Sequence, residues 1–345
     1  MKYKFEIKER VFHFKQPAGT SRGVYTERKS WFVYASADEL PGRVGVGECA
    51  PLPDLSCDAR ADYDRTLKAL CGMVAECGEI QYDMLRPYPS MLFGIETALL
   101  HLHKGAYSFF DTPFARGEEG IPINGLVWMG DFDEMMTRLA DKINQGFKCV
   151  KLKIGAIDFD SELRLLQTIR GTFSRNDIEI RVDANGGFTP GDVMPKLDAL
   201  ARYDVHSIEQ PIRQKHWSEM ARVCRRSPIP VALDEELIGV NLPAMKAELL
   251  DTIHPQYIVL KPSLHGGING TREWVNLAKE RYIESWITSA LESNVGLNSV
   301  AQLAADVYGP AISFPQGLGT GQLFTDNVDV PVVIKDNMIW SLTNF

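Results

Sequence analysis

Five short segments decide the fold of this chain: KLKI at 151–154, IRVDAN at 180–185, SIEQP at 207–211, VALDEE at 231–236 and YIVLKP at 257–262. Each is strand-like and carries a charged side chain at or near its end, and successive charged ends lie 25 to 30 residues apart. A strand, a crossover helix and the return to the next parallel strand occupy about that length. The spacing therefore predicts repeated βα units whose charged ends meet on one face of a closed barrel.

Three further segments bring the predicted strand count to eight. IPINGLV at 121–127 precedes the five, whereas SWITSA at 285–290 and AISF at 311–314 follow them. Between successive strands, apolar residues recur every three or four positions, which is typical of amphipathic helices. The sequence thus predicts an α/β fold with a TIM-like (β/α)8 barrel over residues 111–322.

The N-terminal part of the chain has a different pattern. Residues 3–14 and 30–36 alternate apolar and polar side chains as strands do, and two helical stretches follow before residue 105. Strands followed by helices indicate a separate α+β domain, predicted over residues 1–110. Residues 323–345 regain strand character, and we expect them to pack back on this domain.

Composition excludes several classes of function. The 345 residues have a formal net charge of −8, which disfavours a nucleic-acid partner because phosphate binding needs a basic surface. We find no apolar run long enough for a membrane span and no secretory signal, so we expect a cytoplasmic protein. The six cysteines form no CxxC pair, which favours reduced thiols over an N-terminal metal or disulfide cluster. The sequence leaves a monomer and a homo-oligomer equally open.

Three acidic residues at strand ends indicate a metal site. Asp183, Glu209 and Asp234 occupy matching positions in consecutive βα units. Taken singly, each could instead cap the helix that follows it. Together they form a set of hard oxygen ligands, which suits Mg²⁺ and also admits Mn²⁺, and which leaves room for a substrate carboxylate.

Lysines flank the three acids. Lys151 and Lys153 lie two apart in a buried strand, so they point to the same side, and a solvated face is disfavoured. Burial and a neighbouring ammonium both lower a lysine pKa, which would make one of them a usable base. Lys261 lies across the barrel, either as an electrostatic stabiliser or as a capping charge. Arg181 could point into the same cavity or only orient a metal ligand.

These motifs resemble the enolase superfamily, in its muconate-lactonizing subgroup. The matching motifs are KxK at 151–153, DAN at 183–185, EQP at 209–211, DEE at 234–236 and LKP at 260–262, with GECAPLP at 47–53 resembling the family's capping segment. The resemblance implies an α+β cap over a modified (β/α)7β barrel in which the eighth helix is lacking or displaced. It also implies Mg²⁺ bound by the three acids, Lys153 as the base and Lys261 as its catalytic partner.

Three loops bear on the substrate. SALES at 289–293, QGLGTGQLF at 316–324 and PAGTSRGV at 17–24 resemble the o-succinylbenzoate synthase family most, which implies a small-molecule carboxylate substrate. The last of these loops would close over it. Dipeptide epimerases usually carry an Asp-x-Asp near the eighth strand, and GLGTG has no acid there. Muconate cycloisomerase and N-succinylamino-acid racemase activities stay open. The residues predicted to contact substrate are Lys151, Arg181, Asn185, Ser289, Gly319, Thr320 and Gly321.

Overall fold

The computed structural model describes residues 1–20, 23–127, 130–155 and 158–343, apart from the side chains of residues 19 and 20. The predicted closing loop at 17–24 therefore lies partly outside the described residues. No described helix is both long and apolar enough to cross a lipid bilayer.

The N-terminal unit is an antiparallel sheet covered by helices. Its strands run in the order β1-β2-β3. Their bounds are β1 Tyr3–Thr20, β2 Gly23–Ala37 and β3 Gly45–Cys49, and the helices are α1 Tyr63–Cys77, α2 Tyr82–Leu85 and α3 Pro89–Lys104. Helix α3 packs closely on β3, because a Cβ on Gly47 would stand 1.9 Å from the carbonyl oxygen of Gly94. All six cysteines are free thiols.

The barrel strands form one parallel sheet in sequence order from β5 to β11. They are β5 Gly125–Val127, β6 Cys149–Lys153, β7 Glu179–Asp183, β8 Ser207–Glu209, β9 Val231–Leu233, β10 Tyr257–Leu260 and β11 Glu284–Ile287. The helices are α4 Phe132–Asn144, α5 Phe159–Thr172, α6 Val193–Leu200, α7 Trp217–Arg226, α8 Pro243–Ile253, α9 Gly267–Lys279 and α10 Asn294–Tyr308. Apolar side chains of strands and helices form one continuous buried core.

The barrel closes at Gln316 and Gly317, which complete the eighth position. Gln316 bridges in parallel to Ile123, and Gly317 bridges in parallel to Thr288. The side-chain oxygen of Gln316 also accepts a hydrogen bond from the Ile287 amide at 2.7 Å. Two isolated bridges and one side chain thus replace a full strand.

The predicted eighth strand at 311–314 is wrong. Ala311 has a φ of 58°, and Pro310 and Pro315 lack the amide hydrogen that a ladder needs. The predicted first strand is also shorter than 121–127. Its first two residues form β4, Ile121–Pro122, which belongs to a different sheet.

The C-terminal segment makes two kinds of contact. Near its start, the Lys15 amide donates to the carbonyl of Leu323 at 2.8 Å, and Phe324 packs against Phe12 of the N-terminal sheet. Further on, the hairpin of β12 Val332–Lys335 and β13 Met338–Ser341 pairs with β4 instead. This hairpin, within the described residues, follows the eighth barrel position where a regular barrel would have its eighth helix. The domain division at residues 110 and 111 stays a prediction.

Candidate active site

The register of three neighbouring strands lines up the central functional groups. Lys153 pairs with Asp183 across β6 and β7, and Asp183 pairs with Glu209 across β7 and β8. Paired residues of adjacent strands point to the same face of a sheet, so these side chains stand side by side. Asp234 and Lys261 follow the last residues of β9 and β10 directly. The structure therefore brings all five predicted groups to one end of the barrel.

The three carboxylates are buried and incompletely satisfied. Asp183 and Asp234 are fully buried, and Glu209 is 2% exposed. Glu209 Oε2 and Asp234 Oδ1 have no hydrogen-bond partner among the described residues. Burying a carboxylate oxygen without a partner costs free energy unless a cation or donor compensates it. These oxygens therefore fit a divalent cation that prefers oxygen ligands.

Lysine ammonium groups stand between the carboxylates. Lys151 Nζ lies 2.8 Å from Asp183 Oδ2 and 2.6 Å from Glu209 Oε1. Lys153 Nζ donates to Asp183 Oδ2 at 2.5 Å, and Lys261 Nζ donates to Asp234 Oδ2. In the described part of the chain, no three acidic, histidine or cysteine side chains form a ready-made metal cluster. The ammonium groups therefore balance the acidic charge here.

The lysines and acids shift each other's pKa. Burial alone would lower the pKa of Lys151, but the charges of Asp183, Glu209 and Asp234 outweigh it and raise that pKa. The same balance, with Asp234 as the main charge, raises the pKa of Lys261. The sequence-based reasoning, which expected a lowered pKa for one of Lys151 and Lys153, does not hold for Lys151, because it counted the neighbouring ammonium and omitted the facing carboxylates.

The pKa values of Asp183 and Glu209 shift in opposite directions. Burial would raise the pKa of Asp183, but Lys151 and Lys153 overcome this effect and lower it. Burial, followed by the charge of Asp183, holds the pKa of Glu209 well above its usual range. The site thus contains closely spaced carboxylates whose mutual repulsion a bound cation would relieve.

Asn185 orients Lys153. Its backbone has a φ of 43°, a left-handed conformation that asparagine tolerates better than most residues. Its amide donates to Asp183 Oδ1 at 2.9 Å. Its side-chain oxygen accepts from Lys153 Nζ at 2.9 Å, and its Nδ2 donates to Glu235 Oε1 at 2.9 Å. Asn185 therefore fixes the position of the predicted base relative to two acids.

A cavity of about 120 Å³ opens above these groups. Its polar floor includes the three lysines, Asn185 and Glu235. Its apolar walls include Leu52 and Leu55 of the N-terminal unit and Leu291 of the barrel. Ser289, Gly319 and Thr320 also line it, with Ser289 Oγ and Thr320 Oγ1 2.5 Å apart. The cavity thus lies where the two parts of the chain meet.

Two predicted substrate contacts lie away from the cavity. Arg181 is buried one layer deeper in the barrel, where it donates to Glu179 Oε1 at 2.7 Å and to the Pro315 carbonyl at 2.9 Å. Its guanidinium also stacks 4.1 Å from the centre of the Phe314 ring. A Cβ on Gly321 would stand 2.8 Å from Leu297 Cδ2, away from the cavity lining.

Several lining residues were missed by sequence reasoning. Glu235 was visible as the second letter of DEE, and its Oε2 is a further buried oxygen without a hydrogen-bond partner among the described residues. The wall leucines gave a weaker sequence signal for a binding site. Leu52 lies in a proline-containing loop, and Leu291 lies between small and polar residues in the SALES segment at 289–293. Apolar residues in loops can be recognised as part of a binding site only when the fold places them over that site.

Comparison with known proteins agrees with this architecture. The model of the family described as enolase C-terminal domain-like matches residues 134–341. An o-succinylbenzoate synthase from Desulfotalea psychrophila is 44% identical, over 94% of this chain and 95% of that protein.

Solved structures give the same picture. The crystal structure of MenC from Desulfotalea psychrophila superposes with a TM-score of 0.84 at 38% identity, covering 99% of this chain and all of that one. The muconate lactonizing enzyme from Pseudomonas fluorescens, with a TM-score of 0.81 over 98% of this chain and 93% of that one, is 18% identical and supports the fold alone. The chain belongs to the enolase superfamily, in its muconate-lactonizing subgroup.

Proposed function

We propose that this chain is an o-succinylbenzoate synthase, a hydro-lyase of menaquinone biosynthesis. It would eliminate water from 2-succinyl-6-hydroxy-2,4-cyclohexadiene-1-carboxylate to give 2-succinylbenzoate. The observation that carries the proposal is the 44% identity to a protein of that name across nearly the whole chain. The L-Ala-D/L-Glu epimerase of Bacillus subtilis, by contrast, is 25% identical over 82% of this chain.

The charge of the cavity supports an anionic substrate. Three lysines line it, and Glu235, the one acid among the described residues of its lining, has a pKa that burial and the charge of Asp234 raise. The loop segment at 317–320 adds neutral residues to the lining. The segment at 317–320 has no carboxylate to pair with a substrate ammonium, and burying that cation unpaired would cost several kcal/mol.

The site residues have two proposed roles: three acids hold a cation, and two lysines act on the substrate. Asp183, Glu209 and Asp234 would hold Mg²⁺ or Mn²⁺, for which their unpartnered buried oxygens are suited. When bound, such a cation supplies electrostatic stabilisation of the negative charge that develops on the substrate carboxylate. The residues that hold it are thus distinct from those that move protons.

Lys153 would act as the base. Its unprotonated amine removes the proton from the ring carbon that bears the carboxylate, and the C–H electron pair shifts onto that carboxylate as negative charge. The C–O bond of the ring hydroxyl then breaks, and the proton returned by Lys153 converts the departing hydroxide to water. Lys261 would stabilise the anion from the opposite side as its ammonium. Aromatisation of the ring provides much of the driving force.

A paired assay tests this proposal. Purified enzyme with Mg²⁺ is supplied with the cyclohexadiene carboxylate, made in a coupled reaction, and separately with N-succinyl amino acids and dipeptides. We expect kcat/KM to be highest for the dehydration. A racemisation or epimerisation value that equals or exceeds it would overturn the assignment and leave the superfamily membership.

The metal ligands have a test independent of turnover. Because a cation relieves repulsion among buried carboxylates, Mg²⁺ should raise the melting temperature of the wild-type protein. Asp183→Asn should lose most of that rise, whereas Asp177→Asn, an exposed control, should keep it. Chelation should also abolish turnover. Equal stabilisation of both variants would contradict the assigned ligands.

A further inference from the structure

Arg28, in β2, is a buried guanidinium that joins two segments far apart in sequence. It is 2% exposed. On one side it donates to the Ala50 carbonyl at 2.5 Å and to the Pro51 carbonyl. On the other it donates to the carbonyls of Ala290 at 3.3 Å and Leu291 at 3.2 Å. One side chain therefore ties the N-terminal unit to the loop after β11.

Two buried carboxylates accompany this guanidinium. Burial lowers the pKa of Arg28, and the charges of Glu292 and Glu48 oppose that effect. Glu48 is itself anchored to the start of α10, accepting from Ser293 Oγ at 2.5 Å and from the Gly296 amide at 2.9 Å. Removing one member of such a buried network leaves the others uncompensated. The network therefore depends on Arg28, Glu48 and Glu292 all being in place.

The segments that Arg28 joins carry the apolar walls of the cavity. Leu52 follows the Ala50 and Pro51 carbonyls, and it packs in one cluster with Ala290 and Leu291. All three residues line the cavity. A shift of either segment would thus change the width of the cavity above the reacting groups.

Leu291 provides a second, independent observation. Its φ is 62°, a left-handed conformation that is unfavourable for a non-glycine residue. Such a conformation persists only where the surroundings hold it. The Arg28 hydrogen bond to the Leu291 carbonyl is one such restraint, and it keeps the leucine side chain against the cavity.

We propose that Arg28 is a positioning residue that holds the two apolar walls of the cavity in register and thereby sets which substrate tails the site accepts. The choice of assay substrate rests on the proposed function, whereas the positioning role does not. Arg28 lies outside the polar floor of the cavity, so its loss should affect substrate fit more than the proton transfers.

Arg170 is a matched control at another place in the barrel. Its guanidinium also binds backbone carbonyls, with donors 2.8 Å from Tyr203 O, 2.9 Å from Ile178 O and 3.1 Å from Asp204 O. None of these residues lines the active-site cavity. Replacing Arg170 should therefore cost stability without changing substrate selection.

The experiment compares R28K and R28M with R170K and R170M by hydrogen exchange and by steady-state kinetics. A lysine has one nitrogen and cannot serve four carbonyls, so R28K should speed amide exchange at 50–55 and 289–293 at least ~10-fold. R28K should also raise KM for the cyclohexadiene carboxylate ~10-fold, with kcat changed less than ~3-fold. The Arg170 variants should change neither the exchange of these amides nor KM. If R28M does not fold, the result for R28K alone tests the proposal.

The outcomes separate the two proposals. Unchanged exchange in R28K, or unchanged KM in an active enzyme, overturns the role of Arg28 and leaves the proposed function standing. A wild-type enzyme without dehydratase activity overturns the proposed function, and the exchange data then decide the positioning role alone. A fall in kcat at constant KM, matched by R170K, would mean that Arg28 contributes only stability.

Discussion

The floor and the walls of the cavity are built by different means. Lys153 of the floor and the acids Asp183 and Glu209 beside it are paired neighbours in adjacent strands, so the ladder hydrogen bonds fix their relative positions. The walls at Leu52 and Leu291 belong to loops of two separate parts of the chain, which Arg28 joins through their carbonyls. From this difference we expect proton chemistry and substrate selection to depend on separable structural elements, as where one catalytic set serves several reactions.

Replacing Lys153, the proposed base in the floor, should have the largest effect. Lys153→Ala removes the group proposed to take the proton, and we expect kcat to fall at least ~10²-fold. The fold should persist, since Lys153 lies at the end of its strand. Steady-state kinetics and circular dichroism would measure both. Lys148→Ala, an exposed lysine before the same strand, is the control, and wild-type turnover in Lys153→Ala would shift the role to Lys151.

An acidic side chain introduced at Gly319, in the cavity lining, should weaken binding of the anionic substrate. A Cβ on Gly319 would have its nearest contact at 3.3 Å, to the Asn124 carbonyl, so a small side chain nearly fits there. In Gly319→Asp, repulsion of the succinyl carboxylate should raise KM at least ~10-fold. Gly319→Asn is the neutral control of equal size, so a similar KM in both variants would indicate a steric effect. Gly321, away from the cavity, is unsuited to this test.

Trimming an apolar wall should have a smaller effect. Leu52→Ala enlarges the cavity, and we expect KM to rise between about threefold and tenfold with little change in kcat, because the lost contacts involve the non-reacting part of the substrate. Leu242→Ala, at a position 54% exposed, should leave both parameters unchanged. If kcat fell while KM held constant, the wall and the floor would not be separable in this way.

A second junction between the two parts of the chain should affect stability and leave catalysis unchanged. Glu96 of α3 accepts from the amides of Ile268 at 2.5 Å and Asn269 at 3.0 Å, at the start of α9. Burial raises the pKa of Glu96 from 4.5 to about 8. The folded state therefore binds this proton more tightly than the unfolded state, and the stabilisation present below pH 4.5 is lost as the pH rises through about 8.

Urea unfolding at pH 5 and pH 8 checks this expectation. The free energy of unfolding should fall between these values by at least about 1 kcal/mol more in the wild type than in Glu96→Gln, since each unit of pKa difference corresponds to about 1.4 kcal/mol. Glu248→Gln, at an exposed site, should keep the wild-type dependence. Equal pH dependence in all three proteins would contradict the raised pKa.

The barrel was predictable because its strands repeat a local pattern. Hydrophobic runs with charged ends at regular spacing identified β6 to β10, and with them the three acids and the lysines. The eighth strand was misplaced because AISF is apolar and strand-like in isolation, whereas the left-handed backbone at Ala311 and the flanking prolines exclude it from a ladder. Gln316 and Gly317, which close the barrel, have no strand signal of their own.

The fold family and the set of charged groups could be inferred from the sequence, because strand periodicity and motif spacing are properties of neighbouring residues. The folded arrangement was needed to show that the ammonium groups of Lys151 and Lys261 face carboxylates, that Arg181 lies below the cavity, and that Arg28 joins two walls. These outcomes depend on which side chains meet across long sequence separations. The burial of these side chains and the charges around them are set by tertiary packing, which no local sequence pattern encodes.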